Sequence, residues 1–159
     1  MSLSKLLLRS LLCLSLIAVI AITALPSTSA SAATTVTKTY TETQINNSYR
    51  ITHPLRWRVT NLRVDLKPGY ALVTATHEYR TGKTVTTNTT FVPILSNGRL
   101  TWNVISFTYN DKAVSQDVIN QINNSINSAW RNWFKTKLPA GKLTSVTITD
   151  VDISFVAVR

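Results

Sequence analysis

The chain has 159 residues, enough for one domain with a sizeable core. Its 17 basic and 7 acidic residues give a formal net charge of +10, which favours anionic partners such as lipid head groups or wall polymers. The basic residues are spread along the chain without a long run, so we expect no nucleic-acid partner.

The N-terminal segment has the features of a secretory signal peptide in the required order. Lys5 and Arg9 make a positive start, residues 11–25 are almost entirely apolar, and Ala30-Ser31-Ala32 matches the pattern of a cleavage site. We predict that residues 1–32 are a cleaved signal peptide and that the mature protein is secreted. An uncleaved membrane anchor is the alternative, although a spanning helix needs about 20 residues.

Cleavage would also remove Cys13, the only cysteine of the chain. The mature protein would then have no thiol for a disulfide, a metal site or nucleophilic catalysis. Its 15 basic and 7 acidic residues would give a net charge of +8. We predict a flexible start over residues 33–40 and a single domain over residues 41–159.

The first predicted element of that domain is a short helix. Thr41 and Gln44 have the spacing of a capping box, in which each side chain bonds the backbone of the other residue. Ile45 and Tyr49 are four residues apart and would share the buried stripe of this helix. We expect the helix to end near Tyr49.

A two-residue alternation of apolar and polar side chains then predicts four strands, over residues 57–67, 70–80, 84–95 and 99–109. Trp57 is out of step with Leu62, which indicates a β-bulge near Thr60-Asn61. Ser96-Asn97-Gly98 is the clearest hairpin signal because Asn-Gly accepts positive φ. Short connections between the strands favour an antiparallel meander.

A period of three to four residues follows and predicts one long helix over residues 116–138. Pro139-Ala140-Gly141 would end it, and strands over residues 143–149 and 152–158 would close the chain. The expected fold class is therefore α+β. Its parts would be a short N-terminal helix, a four-stranded antiparallel meander, a long amphipathic helix packed on the curved sheet, and a C-terminal β-hairpin.

Residues that could support catalysis or hold a metal are sparse. His53 is in a predicted loop, and His77 is in a strand beside Glu78, where neighbouring side chains point to opposite faces. Asp150 and Asp152 are expected to flank the last hairpin turn, with a calcium site as the alternative. We predict that the protein is not an enzyme and has no cofactor and no metal site.

The aromatic residues are more informative, and they allow two interpretations. The set concerned lies on the predicted long helix and the fourth strand: Ile122, Ile126, Trp130, Trp133, Phe134, Trp102 and Phe107. If these side chains line a cleft, the domain binds a lipid or another apolar or amphipathic ligand. If they complete a packed core, it is a structural or protein-interaction domain of the bacterial cell surface.

Basic residues near the end of the predicted long helix extend the first interpretation. We expect Arg131, Lys135, Lys137 and Lys142 to contact anionic head groups if the cleft opens there. The partner would then be a lipid or apolar small molecule, with an anionic membrane surface or wall polymer as a further candidate. The alternative is that these cations only complement the helix dipole.

Two stretches, FVPILSNGRLTWNV and LPAGKLTSVTITDVDISF, resemble the LmeA-like phospholipid-binding family of small secreted bacterial proteins. The resemblance covers about Thr41 to Val158. It implies half of a tubular lipid-binding module, with a long helix against a strongly curved sheet, and a lipid-like ligand or membrane-proximal role. The chain departs from the family in its short length and in VDISF, where a glycine often precedes the last strand. The family has no catalytic residues to transfer.

Overall fold

The computed structural model describes residues 33–51, 57–125 and 127–159. The described residues are mostly β, with 57% strand and 20% helix, and their strands form two separate antiparallel sheets. The predicted α+β fold with a long helix packed on one sheet is therefore wrong. The predicted signal peptide lies outside the described residues. Within them, no helix has the length and apolar character needed to cross a membrane.

The smaller sheet has three strands in the order β1-β8-β7. They are β1 (Thr35–Thr41), β7 (Lys142–Ile148) and β8 (Asp152–Val158). The two C-terminal strands pair as the predicted hairpin, and β1 pairs with the other side of β8 along its whole length. Residues 35–41 are thus strand, where the sequence predicted a flexible start, because β8 supplies backbone partners from the far end of the chain.

The larger sheet has five strands in the order β2-β3-β4-β5-β6. They are β2 (Trp57–Lys67), β3 (Tyr70–Tyr79), β4 (Thr84–Ser96), β5 (Arg99–Tyr109) and β6 (Lys112–Ala113). The predicted bulge is confirmed, since the register shifts between Thr60 and Arg63 and Asn61 has a φ of 50°. The hairpin turn is confirmed as well, with positive φ at Asn97 and Gly98.

Three short helices accompany the sheets: α1 (Glu42–Ser48), α2 (Gln116–Ser125) and α3 (Asn127–Lys135). The capping box is confirmed, with Thr41 and Gln44 each bonding the other's backbone. Two helices occupy the segment predicted as one. The first of them ends at Ser125 and the second begins at Asn127, and residue 126 lies outside the described residues.

Two asparagines each bond one residue of the larger sheet where no strand lies beside it: β2 is an edge strand, and β6 pairs only with the end of β5. Asn46 on α1 donates to Val64 O and accepts from Val64 N, both at 2.7 Å. Asn123 on α2 accepts from Val104 N at 2.7 Å and donates to Val104 O at 3.2 Å. Each amide therefore replaces the peptide of a missing neighbouring strand, which covers an edge that would otherwise expose unpaired backbone groups.

The hydrophobic core draws on both sheets and all three helices, and aromatic rings form its centre. Trp130 is fully buried, stacks on Phe91 at 5.2 Å between ring centroids, and meets Trp102 and Tyr49 edge-on. Phe134 continues the cluster to Phe155 on β8 at 5.5 Å. Through this packing α3 contacts strands of both sheets.

Candidate functional site

An open groove of about 570 Å³ lies at the end of α3. Its walls come from the start of β5, the last turn of α3, the connection that follows α3, and the start of β7. The lining residues are Gly98, Arg99, Leu100, Trp102, Arg131, Phe134, Lys135, Leu138, Pro139, Gly141 and Leu143.

The floor of the groove is apolar and continuous with the core. Trp102 and Phe134 stack with ring centroids 5.0 Å apart and are each only 1% exposed. Leu100, Leu138 and Leu143 extend the apolar surface around these rings. A ligand in the groove would thus contact the outer surface of an already packed cluster.

The rim of the groove is cationic. Arg131 and Lys135 are one helical turn apart on α3, so their side chains leave the same face of the helix, and both are exposed. Arg99, at the first position of β5, faces the same groove. No acidic residue lines the groove, and the ion pairs of the described residues, Arg58–Glu78 and Lys67–Asp65, do not involve the rim.

Local backbone geometry keeps two walls of the groove close together. Gly141 has a φ of 114°, and a Cβ atom there would lie 2.6 Å from the carbonyl oxygen of Val158. Gly98 leaves room for the aliphatic part of Lys142, which a Cβ atom at that position would strike. Gly98 therefore lets the β4–β5 turn approach the start of β7 beside the groove, and Gly141 lets the connection after α3 approach the end of β8.

The structure separates the described members of the predicted ligand-binding set into three groups. Trp102 and Phe134 line the groove. Trp130, Phe107 and Ile122 are buried and do not line it. Trp133 is half-buried and meets Tyr40 and Tyr49 edge-on, and Ile126 lies outside the described residues.

The predicted head-group residues are divided in a similar way. Arg131 and Lys135 line the groove, and Lys142 lies beside it against Gly98. Lys137 instead places its Nζ 5.7 Å from the ring centroid of Trp133.

Sequence reasoning missed Arg99, Leu100, Leu138, Pro139 and Leu143 as lining residues. The sequence predicts the Asn-Gly turn that precedes Arg99. It does not predict that this turn lies against the start of β7, because that contact joins the two sheets.

Two of the described titratable groups have pKa values shifted by burial. His77 is half-buried, burial lowers its pKa, and its Nε2 lies 3.0 Å from Thr87 Oγ1. Burial raises the pKa of Tyr49 in the aromatic core. Among the residues that the structure describes, no three His, Cys, Asp or Glu side chains group as metal ligands. His53 lies outside these residues.

The groove therefore combines an apolar floor with a cationic rim. Such a surface can bury an apolar chain while its cations contact an anionic group. No family model matches this chain, and comparison with curated proteins and with solved structures found no match either.

Proposed function

We propose that this domain is a secreted, non-enzymatic module that binds an anionic amphiphile of the phospholipid or fatty-acid class. The apolar chain would lie over Leu100 and Leu138, above the buried rings of Trp102 and Phe134, and the head group would meet Arg99, Arg131 and Lys135. One observation carries the proposal: the groove has an apolar floor, three cations on its rim and no acidic lining residue. Its volume of about 570 Å³ lies in the range of small-ligand pockets, roughly 300–1,000 Å³.

The charges on the rim favour an anionic head group over a neutral one. Two of the three cations are arginines, whose planar guanidinium groups can hold a carboxylate or phosphate through paired hydrogen bonds. These cations have no carboxylate partner in the described protein, so a ligand anion would not have to displace one. The resemblance to phospholipid-binding proteins points to the same ligand class.

Fluorescence quenching by a brominated fatty acid tests this proposal, because bromine quenches tryptophan only at short range and Trp102 forms the floor. We expect brominated stearate to quench the intrinsic fluorescence saturably. A brominated monoacylglycerol has a similar chain and no charge, and we expect it to bind more weakly. Native mass spectrometry of the same mixtures would give the stoichiometry.

A pair of charge-reversal variants assigns the binding to the groove. Arg131→Glu/Lys135→Glu should weaken stearate binding by about tenfold or more, since a charge-assisted hydrogen bond contributes about 1.5–3 kcal/mol. Lys83→Glu/Lys112→Glu has the same change in charge at exposed positions outside the groove and should bind as the wild type does. Equal weakening in both variants would show a general charge effect and contradict the assignment.

A structural or protein-interaction domain is the second candidate, and the packing of the aromatic core favours it. Trp130 and Phe134 are only 0% and 1% exposed because other aromatic rings of the chain pack on them, so the protein's own side chains fill the core. Absence of quenching and of bound lipid in native mass spectra would favour this candidate.

A further inference from the structure

Basic residues from distant parts of the sequence converge on the connection between α3 and β7. We name this set the cationic collar: Lys38, Arg99, Arg131, Lys135, Lys142 and Arg159. It contains six of the 15 basic residues found from residue 33 onward. All six are exposed. Three line the groove, and the other three surround the connection that forms one of its walls.

Hydrogen bonds fix the two members that are most distant in sequence. Lys38 on β1 donates from Nζ to Leu138 O at 3.2 Å, and Arg159 donates from Nε to Ala140 O at 3.2 Å. Both acceptors belong to the connection between α3 and β7. Lys38 on the first strand and Arg159, directly after the last strand, therefore both lie against the connection that forms one wall of the groove.

The acidic residues lie elsewhere. Asp150 and Asp152 are in the turn at the other end of the β7–β8 hairpin, and Asp111 follows the far end of β5 from Arg99. Asp65 and Glu78 pair with cations on the larger sheet. Glu42 and Asp117 are in the first turns of α1 and α2. The collar therefore presents positive charge without a neutralising Asp or Glu side chain.

The domain also begins at this end. Thr35 pairs with Val158, and the backbone N–H of Arg159 donates to Thr34 O at 3.0 Å. In the sequence, the apolar segment 11–25 ends only ten residues before Thr35. The start of β1 thus lies beside the collar.

We propose that the cationic collar docks this domain on an anionic lipid bilayer, with the mouth of the groove facing the bilayer. Charge complementarity selects the occupant, since each basic residue near an anionic surface strengthens binding by about fivefold. Docking would let an amphiphile pass between the bilayer and the apolar floor without crossing water. This last step rests on the proposed function, whereas docking itself does not.

Vesicle co-sedimentation tests the docking. We expect the residues 33–159 to bind vesicles of phosphatidylglycerol and not vesicles of phosphatidylcholine. Binding should be strong in about 0.01 M salt and be lost in about 1 M salt. Between these conditions the Debye length falls from roughly 30 Å to 3 Å, so salt screens the attraction between the collar and the bilayer. Equal binding to both vesicle types, or negligible binding to both in low salt, would overturn the proposal.

Variants outside the groove distinguish this proposal from the proposed function. Lys38→Glu/Arg159→Glu changes two collar residues that do not line the groove and should reduce vesicle binding by about 25-fold or more. Quenching by monomeric brominated stearate should persist in this variant, and that result also shows that it is folded. Lys38→Gln/Arg159→Gln should give a smaller loss of vesicle binding, and Lys83→Glu/Lys112→Glu is the control for net charge.

Two results would contradict the orientation or the occupant. If the control variant loses as much vesicle binding as the collar variant, then net charge and not the collar drives docking. If soluble polyglutamate binds the protein and anionic vesicles at the same charge concentration do not, the collar recognises an anionic polymer.

Discussion

Trp130 and Trp133 are three positions apart on α3 and have different environments. Trp130 is fully buried between Phe91, Trp102 and Tyr49, whereas Trp133 is half-buried with Lys137 over its ring. The periodicity of the sequence assigns both residues to one apolar stripe. Such a stripe shows only which face of a helix turns inward. It does not show how deep each residue lies, since depth depends on what packs against that face.

This difference in depth predicts unequal losses of stability. Trp130→Ala should lower the free energy of unfolding by about 3–5 kcal/mol, the usual range for truncating a buried aromatic residue. Trp133→Ala should cost less, under about 3 kcal/mol, because part of its ring already contacts solvent. Urea denaturation of the two variants measures both values. Equal losses, or a larger loss at Trp133, would be inconsistent with the packing described.

The rim of the groove shows a similar limit on prediction from single residues. Arg131 and Lys135 could be predicted together because they are one helical turn apart. Arg99 could not, since the residue lies 32 positions before Arg131 and reaches the groove through the β4–β5 hairpin. Spacing in the sequence predicts which residues of one helix lie side by side. Which residues of different elements lie together depends on how those elements pack.

At the level of the elements, strand and turn positions were the most predictable features. The alternation in residues 57–109 identified four strands of the larger sheet, and Asn97-Gly98 identified a hairpin turn. The long helix was predicted wrongly because an apolar period shows which face of a helix is buried and does not show where one helix ends and the next begins. Asn123 also bonds the backbone of β5, a contact that the period does not indicate.

The two edge asparagines give an element-level prediction. Asn46→Ala and Asn123→Ala should each cost about 1–3 kcal/mol, because each leaves a backbone N–H and C=O without their partners. Their exposed neighbours, Asn47 and Asn124, provide matched controls, and alanine at these positions should change stability by less than about 0.5 kcal/mol. Thermal or urea unfolding measures the differences. If a control variant loses as much unfolding free energy as the variant next to it, the cause is helix propensity and not the lost hydrogen bonds.

At the level of the whole molecule, the number of sheets could not be predicted from the sequence. The pairing of β1 with β8 joins residues more than 100 positions apart, and local sequence patterns do not predict such a pairing. The threonine-rich sequence Thr34–Thr39 fits either a flexible segment or a strand, and its composition alone does not distinguish the two. The core is shared by both sheets, so the mostly β architecture emerges only from long-range contacts.

The position of β1 is compatible with the predicted processing of the chain. Cleavage after Ala32 or Ala33 would leave the whole of β1, which begins at Thr35, in the mature domain. We expect secretion to yield a protein whose intact mass corresponds to one of these two cleavage positions. A secreted product that retains Cys13 would contradict the signal-peptide prediction and favour the retained anchor.

The pairing of Thr35 with Val158 has a practical consequence for protein engineering. Because the two ends of the domain lie on adjacent strands, a short peptide could join them into a continuous loop. New ends could then be opened in the exposed turn Thr81-Gly82-Lys83, giving a circular permutant with the same contacts. For the same reason, the whole domain could be inserted into a surface loop of a host protein without separating the host's own flanking residues.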